Sequence, residues 1–453
     1  MKSLLKILTF VFVIMLSVNS SYALSTAKLD KQIKKSNIDE TSTIAVSIRN
    51  ADNDNVVYEY NQKKLLHPAS TLKIFTTYSS LDILGYDYFF KTQFYKDSDN
   101  NLYIKLGADP TLTASQLKTA VSKIKESGSS YKNLYFDDSI IDKKEFAPGW
   151  MWDDDINPYT PKVSSYNIDG NVVKLNMTKS SNGMMATSLK SSYPMSVVSN
   201  IKADAKTNYI DINRYNWSNP EVVEIYGSVA SPQTITIPIS SMRRYYIHVL
   251  EKALDDNRIT ISGTSFSSKL LPTNAQLITE IANPITAVIP KILQNSNNLM
   301  SESVFKLSGA VKYTATGTDD LAIYSFRNFY DGLGAETKDI IIKDGCGVSR
   351  NNLISADWMT KALDKLYKHK NFEQFKENMA QPGDGTLTNR LHDLRGEVWL
   401  KTGSLSNVSS IAGYVKSKDG HTYSVAVMIQ NFTEPQSKVK EFENEIINII
   451  YDK

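Results

Sequence analysis

The chain is poor in cysteine: Cys346 is the one thiol in 453 residues. A single thiol forms no intramolecular disulfide, so the fold rests on packing alone. Histidine is scarce too. The five, His67, His248, His369, His392 and His421, include no H-E-x-x-H pair, which leaves a zinc peptidase little support. No G-x-S-x-G elbow, P-loop or G-x-G-x-x-G string is present. An excess of one charge is also lacking. The formal net charge is +3, and removing the first 23 residues, whose only charges are Lys2 and Lys6, leaves about +1. That balance gives no support for a nucleic-acid partner. Internal repeats and low-complexity tails are absent. A composition of 41% hydrophobic and 22% charged residues is that of a globular chain long enough for two or three domains.

Long apolar runs are missing with one exception. Ile7 to Val18 is apolar, follows Lys2 and Lys6, and is followed by Ser21-Tyr22-Ala23. The run is short for a bilayer span, which needs about 20 residues, and it ends on polar residues. Residues 1–23 therefore read as a secretory signal peptide rather than a membrane anchor. No cysteine sits at the cleavage site, which argues against a lipoprotein. The mature chain is expected to be exported to the periplasm or cell envelope, with no transmembrane segment.

Along the mature chain, Lys28 to Lys35 suggests a short amphipathic helix. Thr43 to Ile48 and Val56 to Tyr60 read as strands joined through a turn-rich link. His67-Pro68-Ala69-Ser70 then precedes an apolar helix, Leu72 to Leu84, and Pro68 suits a helix start because its missing N–H needs no partner there. Ser115 to Ser127 and Tyr245 to Leu254 read as helices, with many short strands between Val172 and Ser240. After Pro284 helices are expected over Ile285 to Leu293, Leu299 to Val311, Asp319 to Leu333 and Ala356 to Lys368. The end alternates strands, Val398 to Lys401, Ser410 to Val415 and Tyr423 to Gln430, with a helix from Lys438 to Tyr451 carrying Phe442, Ile446, Ile447 and Ile450 near one face.

Three strings carry chemistry: Ser70-Thr71-Leu72-Lys73, Ser296-Asn297-Asn298 and Lys401-Thr402-Gly403-Ser404. S-x-x-K alone says little, since Ser25, Ser115, Ser122, Ser129, Ser199 and Ser303 each have Lys three positions on. Ser70 is set apart by its helix-start context and by the two motifs downstream. On a helix, i and i+3 side chains share a face, so Lys73 can reach the Ser70 hydroxyl. A serine that cleaves amides needs a base. Lys73 serves as one only when neutral, which asks for burial or a neighbouring positive charge, and Lys401 offers that charge. Ser296 is suited to pass a proton to the leaving amine, and Asn298 to hold substrate through its amide. Thr402, Ser404 and the Lys401 charge suit a terminal carboxylate. Gly403 gives room for close approach of substrate, and the backbone N–H groups of Ser70 and Ser404 form the expected oxyanion hole. The bland alternatives are a helix-start serine with a surface lysine, a polar loop and a strand-end turn. Asp153-Asp154-Asp155 lacks calcium-loop spacing and reads as exposed loop. No metal and no cofactor is called for.

The ordered trio resembles the signature of penicillin-binding proteins and serine β-lactamases. Beyond it, four further strings resemble one subgroup: Gly107-Ala108-Asp109-Pro110-Thr111-Leu112, Gly149-Trp150-Met151-Trp152-Asp153-Asp154, Asp344-Gly345-Cys346-Gly347-Val348-Ser349-Arg350 and Gly383-Asp384-Gly385-Thr386-Leu387. That subgroup is the class C low-molecular-mass penicillin-binding proteins, the D-alanyl-D-alanine carboxypeptidase/endopeptidases of peptidase family S13. The resemblance implies an α/β (α+β) fold. A transpeptidase/β-lactamase-like domain with an antiparallel sheet flanked by helices (residues 24–91 and 285–453) is interrupted by an inserted second domain (92–168 and 239–284) and a β-rich third domain (169–238).

It further implies Ser70 as nucleophile, Lys73 as its base, Ser296 and Asn298 as second motif, and Lys401, Thr402 and Ser404 at the substrate carboxylate. Asp154, with Tyr159 as neighbouring ring, matches the family's acid beside the free amine of the stem peptide's diamino acid, with Asp153 and Asp155 as alternatives. Arg350 matches a family arginine that helps the cleft, with a structural salt bridge as the alternative. Cys346 departs from the family's serine and places a thiol near the cleft. The implied partners are peptidoglycan stem peptides, with β-lactam antibiotics as inhibitors. The rival readings are a β-lactamase or esterase on the same scaffold, which needs a water-activating base not evident here, and a catalytically silent penicillin-binding module, which has no need of all three motifs.

Overall fold

The computed structural model describes residues 26–36, 38, 40–204, 206, 208–214 and 220–453. The expected signal peptide lies outside the described residues. Two compact units divide the chain: residues up to Ser79 with Ile289–Ser296 and Phe326–Lys453, and Ser80–Val288 with Asn297–Ser325.

The first unit is built on a five-stranded antiparallel sheet. Its order across the sheet is Val398–Leu405, Val408–Lys416, Thr422–Gln430, Thr43–Asn50 and Asn55–Tyr60. Side chains alternate between the faces of a strand, and in Thr43–Asn50 this sorts them cleanly. Ile44, Val46 and Ile48 join Val398, Leu400, Val425 and Val427 in a buried apolar cluster. That cluster is closed by Phe442, Ile446, Ile447 and Ile450 of the helix Gln436–Tyr451 and by Leu29 and Ile33 of the helical residues 26–35. The opposite face meets the helix Ala356–Tyr367 through smaller, polar contacts. Ser47 Oγ lies 2.7 Å from Thr360 Oγ1, and Arg49 and Ser424 both bond Asp364.

The second unit holds a mixed five-stranded sheet, ordered Ser267–Ser268, Leu134–Asp137, Leu102–Lys105, Phe89–Lys96 and Gln276–Pro284. The helices Ala114–Ser127 and Met242–Asp256 belong to it, and their buried faces, Leu117, Val121, Ile124, Tyr246 and Leu250, lie in one apolar cluster with the sheet. Thr113 caps the first of these helices in a reciprocal box with Gln116. The strand-rich stretch folds as two three-stranded sheets within residues 172–238.

Two local departures from the sequence reading have plain causes. The helix expected over Ile285 to Leu293 is a 3-10 turn, Ile285–Ala287, followed by a separate helix, Ile289–Leu293. Pro290 lacks an N–H and is accommodated only in a first helical turn, so the α-helix begins at its doorstep. The strand expected to end at Lys401 runs on to Leu405. Its partner begins at Val408 after a tight turn with Asn407 in the left-handed region (φ 60°), a position asparagine tolerates.

Candidate active site

Ser70 occupies a 3-10 turn, Ala69–Thr71, that leads directly into the helix Leu72–Leu84. The turn is seated by its preceding carbonyl. Pro68 O accepts from Thr71 Oγ1 and from Ser410 Oγ, each at 2.6 Å. Ala69 is held at φ 47°, a conformation uncommon outside glycine. Gly347 meets it there, and a Cβ on Gly347 would lie 1.9 Å from Ala69 O. Lys73 is fully buried. Its Nζ lies 2.9 Å from Ser70 Oγ and donates to Cys346 O at 2.5 Å. The i, i+3 geometry therefore delivers the amine to the hydroxyl.

The loop carrying Cys346 is organised by Asp344. Its carboxylate accepts from Gly347 N (2.8 Å), Ser349 N (2.6 Å) and Asn352 Nδ2 (2.7 Å). Thr76 Oγ1 donates to Gly345 O at 2.6 Å, pinning the loop to the Ser70 helix. The expectation of a thiol at the cleft needs revision. The Cys346 side chain is completely buried, 3.6 Å from Asp344 Oδ2, and what the residue presents to Lys73 is its carbonyl. Serine and cysteine are close enough in size to exchange at such a site. Arg350 Nη1 donates to Ser406 O at 3.2 Å, which ties this loop to the turn that follows the Lys-Thr-Gly strand. Neither reading made from sequence, a cleft residue or a salt bridge, included that contact.

Lys401, Thr402, Gly403 and Ser404 lie along the edge strand Val398–Leu405. Leu400 N bonds outward to Ala380 O at 2.9 Å, away from the sheet. Backbone groups alternate in direction along an antiparallel strand, so the N–H groups of Thr402 and Ser404 face that same open side. Gly403 has a reason to be glycine within the protein itself, beside the one inferred. A Cβ there would lie 2.3 Å from Ser410 Oγ and 2.9 Å from both Pro68 O and Ser70 N. The missing side chain admits the protein's own Ser70 turn. It brings the edge strand against the Ser70 N–H.

Lys401 is completely buried, and its Nζ donates to Thr402 O at 2.8 Å. Burial first, and the Lys73 charge second, hold its amine well below the usual lysine range. The sequence reading gave Lys401 the part of the charge that depresses Lys73. In the structure Lys401's own amine is depressed, because it too is taken wholly out of water. Thr402 is buried and its Oγ1 donates to Thr386 Oγ1 at 2.8 Å, whereas Ser404 is exposed.

Ser296 belongs to the first unit, half-buried and at φ 63°. Asn298, Asp154 and Tyr159 belong to the second. Asn297 caps the helix Asn298–Tyr313 by accepting from Met300 N at 2.9 Å, which accounts for the middle asparagine of the motif. Asn298 Nδ2 donates to Tyr159 O at 2.6 Å, so in this structure the amide holds the tryptophan-rich loop. The Tyr159 ring is 78% exposed. Asp154 Oδ2 accepts from Met151 N at 2.8 Å and caps the 3-10 helix Trp152–Ile156. Asp155, an alternative, is engaged by two cations. It bridges Lys162 (3.0 Å) and Arg214 (2.6 Å), and although burial pushes its carboxyl up, those two cations hold it below the usual carboxylate range. The Asn298–Tyr313 helix is itself anchored by buried Lys306, which pairs with Asp142 (2.8 Å) and Asp319 (3.3 Å).

Residues that sequence reasoning passed over are Asp344, Thr386 and Ser410. The first two stand inside strings already noted, D-G-x-G and G-D-G-T-L. Ser410 pairs with Gly403 in strand register, a relation visible only once the hairpin is known. A helix-start serine bonded to a buried lysine, set against an edge strand with open N–H groups, is an arrangement suited to a serine-nucleophile acyl-transfer hydrolase. Residues 25–450 match the D-Ala-D-Ala carboxypeptidase 3 (S13) family. The chain belongs to that family and is accordingly a D-Ala-D-Ala carboxypeptidase.

Among curated relatives, a D-alanyl-D-alanine carboxypeptidase, DacB, of Haemophilus influenzae is 23% identical over the full length of both chains. A D-alanyl-D-alanine carboxypeptidase of an Actinomadura species is 26% identical over 80% of this chain and 73% of its own. In fold, the crystal structure of penicillin binding protein 4 from Haemophilus influenzae superposes with a TM-score of 0.82 at 21% identity, covering 91% of this chain and 97% of that one. A second structure of the same protein, complexed with a β-lactam, superposes at 0.77 with 21% identity over 94% and 99%. Among the described residues no helix is long and apolar enough to cross a membrane.

Proposed function

We propose that the enzyme cleaves the terminal D-Ala-D-Ala bond of peptidoglycan stem peptides, and the corresponding cross-link, through an acyl-enzyme on Ser70. The observation that carries this reading is the 2.9 Å contact between Lys73 Nζ and Ser70 Oγ, with Gly403 letting the edge strand close on Ser70 N. Lys73, in its neutral form, takes the hydroxyl proton as Ser70 Oγ attacks the penultimate D-Ala carbonyl. The N–H groups of Ser70 and Ser404 receive the oxyanion. Ser296 passes the proton to the leaving amine, and water then releases the acyl group. Thr402 and Ser404, with the Lys401 amine behind them, bind the terminal carboxylate. The family resemblance adds Asn298, Asp154 and Tyr159 as substrate-binding residues, with Asp154 assigned to the diamino acid's ammonium. Arg350 supports the turn after Ser404. A β-lactam presents a strained amide and a carboxylate to the same groups and acylates the same serine. Residues 1–23 direct export to the cell envelope.

Incubation with benzylpenicillin followed by intact-mass spectrometry tests this. A stable adduct is expected on the wild type, and none on Ser70→Ala, whose acylation falls by at least about 10³-fold. An adduct retained by Ser70→Ala overturns the assignment, and hydrolysed drug without adduct indicates a β-lactamase.

A further inference from the structure

The string Gly383-Asp384-Gly385-Thr386-Leu387 has no part in the chemistry above, yet it touches two of its motifs. Thr386 N donates to Gln294 O at 3.0 Å, two residues before Ser296. Gly385, at φ 45°, lies so close to the same carbonyl that a Cβ would sit 2.1 Å from Gln294 O. On the other side Thr386 Oγ1 accepts the Thr402 hydroxyl proton at 2.8 Å. The loop is closed by Leu387 N to Asp384 O (2.8 Å) and Gly383 N to Leu387 O (3.1 Å), with Leu387 buried beneath it. Thr386 itself is exposed.

A hydroxyl carries one proton and two lone pairs. With the Thr402 proton committed to Thr386, the proton this pair offers an incoming anion is that of Thr386, beside the hydroxyl of exposed Ser404. We infer that Thr386 is a specificity-determining residue for the substrate's terminal carboxylate: its exposed hydroxyl is the donor at the end of a Thr402–Thr386 chain, while its main chain fixes that donor to the segment bearing Ser296. The inference rests on the carboxylate site proposed for Thr402 and Ser404. Chained hydroxyls polarise one another, and a charged acceptor strengthens the outer bond. Discrimination for a free carboxylate is thus written into a loop outside the three motifs.

Thr386→Val keeps the shape and removes both the donor and the acceptor. Second-order acylation rates by benzylpenicillin and by its methyl ester, followed by intact mass, give the readout. The ester keeps the reacting ring and masks the anion. The ratio of the two rates is expected to fall by at least about tenfold in Thr386→Val and to return to within about threefold of wild type in Thr386→Ser, which restores the hydroxyl. An unchanged ratio overturns the inference whether the absolute rates hold, as for a bystander, or fall together, as for a merely structural loop. Wild-type protein that neither reagent acylates fails the proposed function as well, so the two failures are told apart.

Discussion

Lys401, proposed to back the carboxylate site, sits there at a cost in stability. The folded protein holds its amine without water, and burial and the Lys73 charge keep it well below the usual lysine range. Between that depressed value and the ordinary lysine value of about 10.4, the unfolded chain binds the proton that the folded chain gives up. Stability therefore rises with pH across that window, and at neutral pH the buried amine is a cost. Lys401→Met should abolish acylation yet raise stability to urea at pH 7 by about 1–3 kcal/mol. The gain over wild type should shrink as pH approaches 10. A gain that is constant with pH, or a loss, would show that burial does not depress the amine. Lys401 was legible in the sequence as a motif residue, because K-T-G is a contiguous string. Its burial was not, since nothing local separates a lysine on the inner face of an edge strand from one on the outer face.

At the scale of an element, the helix Gln436–Tyr451 carries a buried charge among its apolar residues. Glu443 is fully buried, and burial raises its carboxyl despite Arg390 and Ser409. Arg390 Nη2 donates to it at 2.9 Å and Ser409 Oγ at 2.6 Å. Ser409 pairs with Ser404 in the sheet, so this cluster joins the segment before the Lys-Thr-Gly strand, the strand's neighbour and the last helix. Arg390→Met, which strands the carboxylate, should cost about 3–5 kcal/mol, whereas Arg390→Met with Glu443→Leu should recover most of that loss. Denaturation curves of the three proteins decide it, and a single-variant cost under about 1 kcal/mol would mean that the pair is solvated. The helix itself could be read from Phe442, Ile446, Ile447 and Ile450, whose spacing places them near one face. Glu443 could not, because a charge beside an apolar stripe reads as solvent-facing until the partner's position is known. The 3-10 turn at Ala69 was equally hidden. Its left-handed φ is imposed by Gly347 and Ser410, far along the chain, and by no preference of alanine.

Across the whole molecule, the distance in sequence between Lys73 and Ser296 announced an insertion, because motifs of one site must be reunited by the fold. How the insertion divides was less legible, since short strands with scattered apolar pairs do not name their partners. We propose that residues 169–238 form the β-rich third domain expected from the resemblance. Among the described residues, the strands within 172–238 pair only with one another, and Ile239 N bonds Asn171 O at 3.0 Å where the chain leaves and returns. That closure makes the stretch removable in principle, since a two- to four-residue Gly-Ser turn can join Asn171 to Ile239. The core argues against an innocuous removal. Leu175, Ile201, Val223 and Ile225 share one continuous buried cluster with Tyr245, Val249 and Phe136. Excising 172–238 should uncover that apolar surface, at roughly 25 cal/mol per Å², lowering the melting temperature and creating sites for a hydrophobic dye. A shortened chain that melts with its parent and binds no dye would show that the two sheets lend the second unit's core no cohesion. They would then be an appendage held by its stem alone.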